Sequence, residues 1–153
     1  MRAKAWLGVL AALLLLPAPG ARAACSVAAG NLSFGPYNPL SAAGATTSGT
    51  LTVSCNQSPP PTVTVQIGPS AVSGGFAPRR MQRIGGSATL AYNLYLGPAA
   101  ATVWGNGVGG TGVQSATVRK NRPWTLTIYG VMPGNQDVPP GLYGDSLAIT
   151  ILF

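Results

Sequence analysis

Asp137 and Asp145 are the only two carboxylate side chains in 153 residues, and they stand eight apart across a turn. Such a pair could act as the two carboxyl groups of a glycoside hydrolase. Each also sits where a short carboxylate bonds local backbone. Asp137 precedes Val138-Pro139-Pro140-Gly141 and Asp145 follows Gly144, so turn chemistry is the expected role. With no His in the chain, a Ser-His-Asp triad and a His-bearing zinc site are excluded, and two acids cannot furnish an EF-hand loop. Gly107-Val108-Gly109-Gly110-Thr111-Gly112 satisfies the G-x-G-x-x-G pattern, but no strand-to-helix context surrounds it and no acid follows about 20 residues on. A turn between strands is expected there. No catalytic residue, metal ligand or cofactor-binding residue is assigned, and the chain is not expected to be an enzyme.

The bases form two clusters: Arg79, Arg80 and Arg83, then Arg119, Lys120 and Arg122, with Trp124 near the second alone. A nucleic-acid groove needs denser charge and several stacking aromatics on one surface, so solvated loops are expected and nucleic acid is not a partner. The formal charge of +7 includes Arg2, Lys4 and Arg22 of the amino-terminal segment. Met1 to Lys4 is basic, Ala5 to Leu16 is unbroken apolar sequence, and Pro17 to Gly20 precedes Ala21-Arg22-Ala23. This is the pattern of a secretory signal peptide over 1–23, removed after Ala23, and the apolar run falls short of the roughly 20 residues that span a bilayer. A lipoprotein reading of Cys25 is disfavoured by Arg22 three positions before it. No membrane anchor is expected, and residues 24–153 should form one domain with a charge of about +4.

Export places Cys25 and Cys55, the only two thiols, in an oxidising compartment, so a structural disulfide is expected. A redox role would favour a close Cys-x-x-Cys pair. The elements that must hold these residues are strands. Leu51, Val53 and Cys55 alternate with polar neighbours, as do Val63, Val65 and Ile67; further stripes are Leu90 to Leu96, Val113 to Val118, Trp124 to Ile128, and Leu147, Ile149, Ile151 and Phe153. Among 21 Gly and 14 Pro, those at Gly68-Pro69, Gly74-Gly75, Gly97-Pro98, Gly109-Gly110 and Pro139-Pro140-Gly141 punctuate the stripes. Six or seven short strands in an all-β, antiparallel arrangement fit an immunoglobulin-like sandwich better than a barrel.

Several segments, in order, resemble one family. They are Cys25-Ser26-Val27, Leu32-Ser33-Phe34-Gly35-Pro36-Tyr37-Asn38-Pro39, Gly49 to Cys55, Tyr92-Asn93-Leu94-Tyr95, Thr102 to Gly107, Tyr129-Gly130, and Gln136 to Asp145. Nearly all of 25–153 thus resembles the spore coat protein U domain, also the subunit domain of archaic, Csu-type chaperone-usher pili. The resemblance implies an immunoglobulin-like β-sandwich lacking one strand, with an apolar groove along an open edge. It further implies a periplasmic chaperone, an outer-membrane usher and neighbouring pilus subunits as partners, with a neighbour's strand completing the sheet. Leu147, Ile149, Ile151 and Phe153 would line the groove or core, and the carboxylate of Phe153 would meet the chaperone. With cleavage after Ala23, Ala24 alone would precede Cys25, so the chain could accept a strand but not give one. A secreted structural or adhesive subunit is therefore expected at a fibre tip or minor position, reaching the cell surface through the periplasm. The alternative is a self-complete, unpolymerised coat or surface-layer protein. Val72, Phe76, Trp104 and Val108 are apolar residues of loops that could be exposed for adhesion.

Overall fold

Alternation of apolar and polar side chains from Ala45 to Cys55 builds the longest strand of the computed structural model, which describes residues 25–153. The leader read over 1–23 lies outside the described residues. Every assigned element among those described is β: β1 (Cys25–Ala29), β2 (Ala45–Cys55), β3 (Thr62–Ile67), β4 (Arg79–Arg83), β5 (Thr89–Tyr95), β6 (Gln114–Thr117), β7 (Trp124–Met132), β8 (Tyr143–Gly144) and β9 (Ile149–Leu152). The strands form a six-stranded sheet in the order β1-β2-β7-β5-β4-β8 and a three-stranded sheet in the order β6-β3-β9, all pairings being antiparallel. This is an immunoglobulin-like sandwich. Leu51, Val53, Leu90, Leu94, Leu126 and Ile128 from the larger sheet meet Val63, Val65 and Ile67 from the smaller in one buried core.

Three strands lack a clear stripe in the sequence. β1 is short and built mostly of small residues, β8 has two residues, and β4 reads Arg-Arg-Met-Gln-Arg. The expectation of solvated loops fails for the first basic cluster. Arg79 is fully buried, Arg80 donates to Thr89 Oγ1 at 3.1 Å, and Arg83 Nε donates to the Pro140 carbonyl at 3.0 Å. Arg79 is tolerated inside because its guanidinium finds an acceptor in every direction: Gly68 O, Ile67 O, Trp104 O and Asn93 Oδ1, at 2.7–3.2 Å. The second cluster meets the expectation, with Arg119, Lys120 and Arg122 exposed between β6 and β7.

Trp104 is also corrected. It is fully buried, its indole N–H donates to Val65 O at 3.1 Å, and its backbone N–H donates to Leu94 O at 2.9 Å. The glycine-rich stretch after it is a loop closed by the bonds Gly105 N–H to Gly112 O and Gly112 N–H to Val103 O. No helix follows it.

Where β7 leaves the sheet, a side chain replaces a strand. Val131 pairs with Asn93, so the next partner along β5 is Ala91, but β7 ends at Met132 and Pro133 has no N–H to offer. Gln136 fills the gap. Its Oε1 accepts from Ala91 N at 2.7 Å and its Nε2 donates to Ala91 O at 2.9 Å and to Pro133 O at 3.0 Å. Tyr37 locks the same loop, donating to Pro133 O and accepting from Gln136 N, each at 3.0 Å. Gln136→Leu should cost about 1–3 kcal/mol, the penalty for leaving such groups unpaired. Urea unfolding measures it, and a loss below about 0.5 kcal/mol would show that water replaces the amide.

Candidate functional site

β1 and β9 are the outer strands of different sheets and lie beside each other without pairing. Where they touch there is no gap, but the chain that continues from β1 and the segment that precedes β9 part around an open cleft. Its first wall is the chain that continues from β1. Leu32 and Phe34 turn inward while Asn31, Ser33 and Gly35 are exposed. Leu32 fits because the neighbouring strands leave a bare spot: a Cβ on Gly49 would fall 2.7 Å from its Cδ1, and one on Gly130 3.0 Å from its Cδ2. Phe34 then packs edge-on against Tyr92, with ring centroids 5.9 Å apart and an interplanar angle of 69°.

The second wall is the last segment of the chain. β8 pairs with β4 in the larger sheet, and a few residues later β9 pairs with β3 in the smaller, so 143–152 crosses between layers. Tyr143, Asp145, Leu147, Ile149 and Ile151 are half-buried while the residues between them are exposed. The cleft has two lobes that share Leu32, Phe34, Met81 and Tyr143. One, of about 450 Å³, runs between Ala29–Leu32 and Tyr143–Leu147 over Ile67, Leu94 and Ile128. The other, of about 630 Å³, continues past Tyr37 and Leu90 to the Val138–Leu142 loop. Core side chains thus form the floor of both lobes, although Ile67, Leu94 and Ile128 themselves stay buried.

Leu147 and Ile149 line this cleft, while Ile151 packs against the core beyond it. Phe153 follows β9, is 52% exposed and lines neither lobe. The other wall, Leu32 and Phe34, and the floor residues Met81, Leu90, Tyr92, Leu94 and Ile128 were not assigned to a site from the sequence. The alternation Leu32-Ser33-Phe34 was the available signal for the wall. The floor comes together only through strand order. Of the proposed adhesion residues, Val108 is 69% exposed, Val72 is half-buried, and Phe76 lies half-buried beneath the Arg79 guanidinium, 5.5 Å from its ring centroid.

Among the described residues, a charged side chain enters the cleft at one place. Tyr92 donates its hydroxyl to Asp145 Oδ2 at 2.8 Å, and Ser146 N donates to Asp145 Oδ1 at 2.8 Å. Asp145 therefore makes the expected local bond and also a long-range one, whereas Asp137 is exposed on its loop. The two carboxylates have different surroundings, and no group of three or more His, Cys, Asp or Glu among the described residues could hold a metal ion. Burial pushes the Tyr92 phenol well above its ordinary value, the Asp145 hydrogen bond and charge push the same way, and Arg79 opposes them. Burial lowers the Arg79 guanidinium, against the pull of Tyr92 and Asp145. Because Tyr92 holds its proton more tightly in the folded state, its contribution is complete below the ordinary tyrosine value of about 10. It is lost as pH rises above that, where the unfolded chain ionises first. Tm measured from pH 8 to 11 should fall less steeply in Tyr92→Phe than in the parent, and parallel curves would refute the linkage.

Cys25 and Cys55 face each other across the β1–β2 ladder and are joined by a disulfide, their Cα atoms 4.1 Å apart. It anchors the strand that begins the first wall. No helix among the described residues is long and apolar enough to cross a membrane.

Comparison with known proteins supplies the remaining findings. A family model described as the Spore Coat Protein U domain matches residues 11–150. Protein U of Myxococcus xanthus is 34% identical over 142 residues, covering 85% of this chain and 78% of that protein. A chain in the crystal structure of the CsuC–CsuE chaperone–tip adhesion subunit pre-assembly complex, from archaic chaperone-usher Csu pili of Acinetobacter baumannii, is similar at 17% identity with a TM-score of 0.60. That match covers 85% of this chain but 39% of the solved one, and the likeness is one of fold. The E. coli Hda pilus minor tip subunit, HdaB, aligns over 82% of this chain and 79% of its own at 19% identity with a TM-score of 0.44.

Proposed function

The chain belongs to the Spore Coat Protein U domain family, and from that premise we propose that it is a secreted structural subunit of a chaperone-usher type fibre that receives a strand from a partner. The observation that carries this reading is the open cleft between Ala29–Leu32, which continues from β1, and Tyr143–Leu147, which precedes β9, with core residues Ile67, Leu94 and Ile128 on its floor. A strand laid there could pair with the backbone of either wall and would cover that floor, converting an aggregation hazard into an interface. By likeness to the solved chaperone–subunit complex, a periplasmic chaperone would fill the cleft first, and a neighbouring subunit delivered at an outer-membrane usher would fill it afterwards.

The direct test is to express the full chain in a periplasm without a cognate chaperone and to examine the secreted product by size exclusion and thermal unfolding. Aggregation or degradation, relieved by a chaperone or by a supplied alternating apolar peptide, is the expected result. A cooperative melt from a stable monomer, unchanged by such a peptide, would overturn the reading and leave a self-complete coat or surface-layer protein. Whether the subunit sits at a tip or minor position turns on what it can donate, and sequencing the amino terminus of the secreted chain settles which residues precede Cys25.

A further inference from the structure

We propose that Asp145 sets the register in which a strand seats in the cleft, an inference that rests on the strand-accepting reading above. A strand sends alternate side chains to opposite faces, so an incoming segment places every second residue over the cleft floor. A slip of one residue would expose its apolar face and is rejected outright. A slip of two keeps the face, and the floor discriminates poorly against it, because aliphatic and aromatic side chains line both lobes. Asp145 removes that ambiguity. Among the described residues it is the only charged one lining either lobe, and it stands on the inward face of the terminal segment between Tyr143 and Leu147.

The carboxylate is held in place rather than left to swing into water. Tyr92, itself buried, bonds one oxygen, and the Ser146 backbone bonds the other. A carboxylate has about four lone-pair sites, so these two bonds leave acceptor capacity toward the cleft. An apolar side chain seated over Asp145 would strip its remaining water without replacing it. A Lys, Ser or Thr at that position would supply a charge-assisted hydrogen bond. A lone polar group in an apolar seam fixes register in coiled coils by the same logic, at some loss of stability. Here it also deters indiscriminate edge pairing while the cleft is empty.

The test fuses an alternating apolar strand to the carboxyl end of the full chain through a Gly/Ser linker, then moves a single Lys through its inward positions in steps of two. One position should raise Tm by about 5 °C or more over the positions two residues to either side. Replacing that Lys by Glu in the same fusion should reverse the effect, a comparison that needs no variant of the domain. In Asp145→Asn the preference for Lys at that position should shrink. A Tm indifferent to the place of the Lys, or a best position that persists undiminished in Asp145→Asn, would overturn the register role while leaving strand acceptance intact. Failure of every fused strand to raise Tm would overturn strand acceptance itself, and the register role with it.

Discussion

Arg79→Ala is expected to lose about 3–5 kcal/mol of stability, since several buried acceptors lose their donor at about 1–3 kcal/mol each. The guanidinium is a hub rather than a surface charge. Nε and Nη2 reach Gly68 O at 3.1 and 2.9 Å, Nη2 also reaches Ile67 O and Trp104 O at 3.2 and 2.7 Å, and Nη1 reaches Asn93 Oδ1 at 3.0 Å. Truncation takes the Arg79 donors away from the Gly68, Ile67 and Trp104 carbonyls, while Asn93 Oδ1 keeps the Leu94 N–H at 3.1 Å, and each orphaned group carries a penalty of about 1–3 kcal/mol. A domain of this size has roughly 5–15 kcal/mol in total, so the variant should be marginal or unfolded. Arg79→Lys is the informative companion. Lys preserves the charge but is a point donor on a flexible stem and cannot span carbonyls on β3, the Trp104 segment and β5 together, so it should recover only a minor part of the loss. Urea unfolding of the three chains decides it. Equal stability of the Lys variant and the parent would mean that charge, and not the planar fork, is what the core requires.

The second large effect concerns Cys25–Cys55. Removing the link, by reductant or by Cys55→Ser, should lower stability by about 3–4 kcal/mol in the chain-entropy account of a loop of this length. The residues joined are 30 apart in sequence. The damage should be local before it is global. β1 is an edge strand of five residues in which only Cys25 and Val27 turn inward, so little besides its ladder and the disulfide holds it down. Hydrogen exchange under mild reduction should show 25–29 losing protection while β2 and β7 retain theirs. Simultaneous loss in all three strands would show instead that β1 and the core open as one unit.

Much of the sandwich was legible because a strand with one buried face writes a two-residue period into the sequence. Leu51-Val53-Cys55, Val63-Val65-Ile67 and Leu147-Ile149-Ile151 are such runs, and each lies on or runs into an observed strand. β4 was illegible for the opposite reason, since its most deeply buried side chain is a guanidinium satisfied by distant carbonyls, which no local pattern announces. Trp104 misled because a loop tryptophan between glycines looks exposed until Val65 O is found to accept its N–H. Gln136 could not be read as a strand substitute without knowing that β7 stops one residue short of Pro133. Of the cleft, the stripe of Leu147 and Ile149 is legible as periodicity, whereas its place beside a groove is what the family resemblance implies. The floor depends on β5, β7 and β3 converging, which is a property of topology rather than of any stretch of sequence.

The disulfide also has a mechanical meaning. If the cleft holds a strand as proposed, drawing that strand lengthwise pulls on the chain leading into β1, and an outermost strand held by its ladder alone is the natural place for tearing to start. Cys25 passes that load through a covalent bond to Cys55 at the end of β2, and β2 hands it to β7 along the ladder of Ala45–Val53 against Trp124–Met132. Tension is thereby carried into the middle of the six-stranded sheet, and the grip of the cleft should be stronger under oxidising than under reducing conditions.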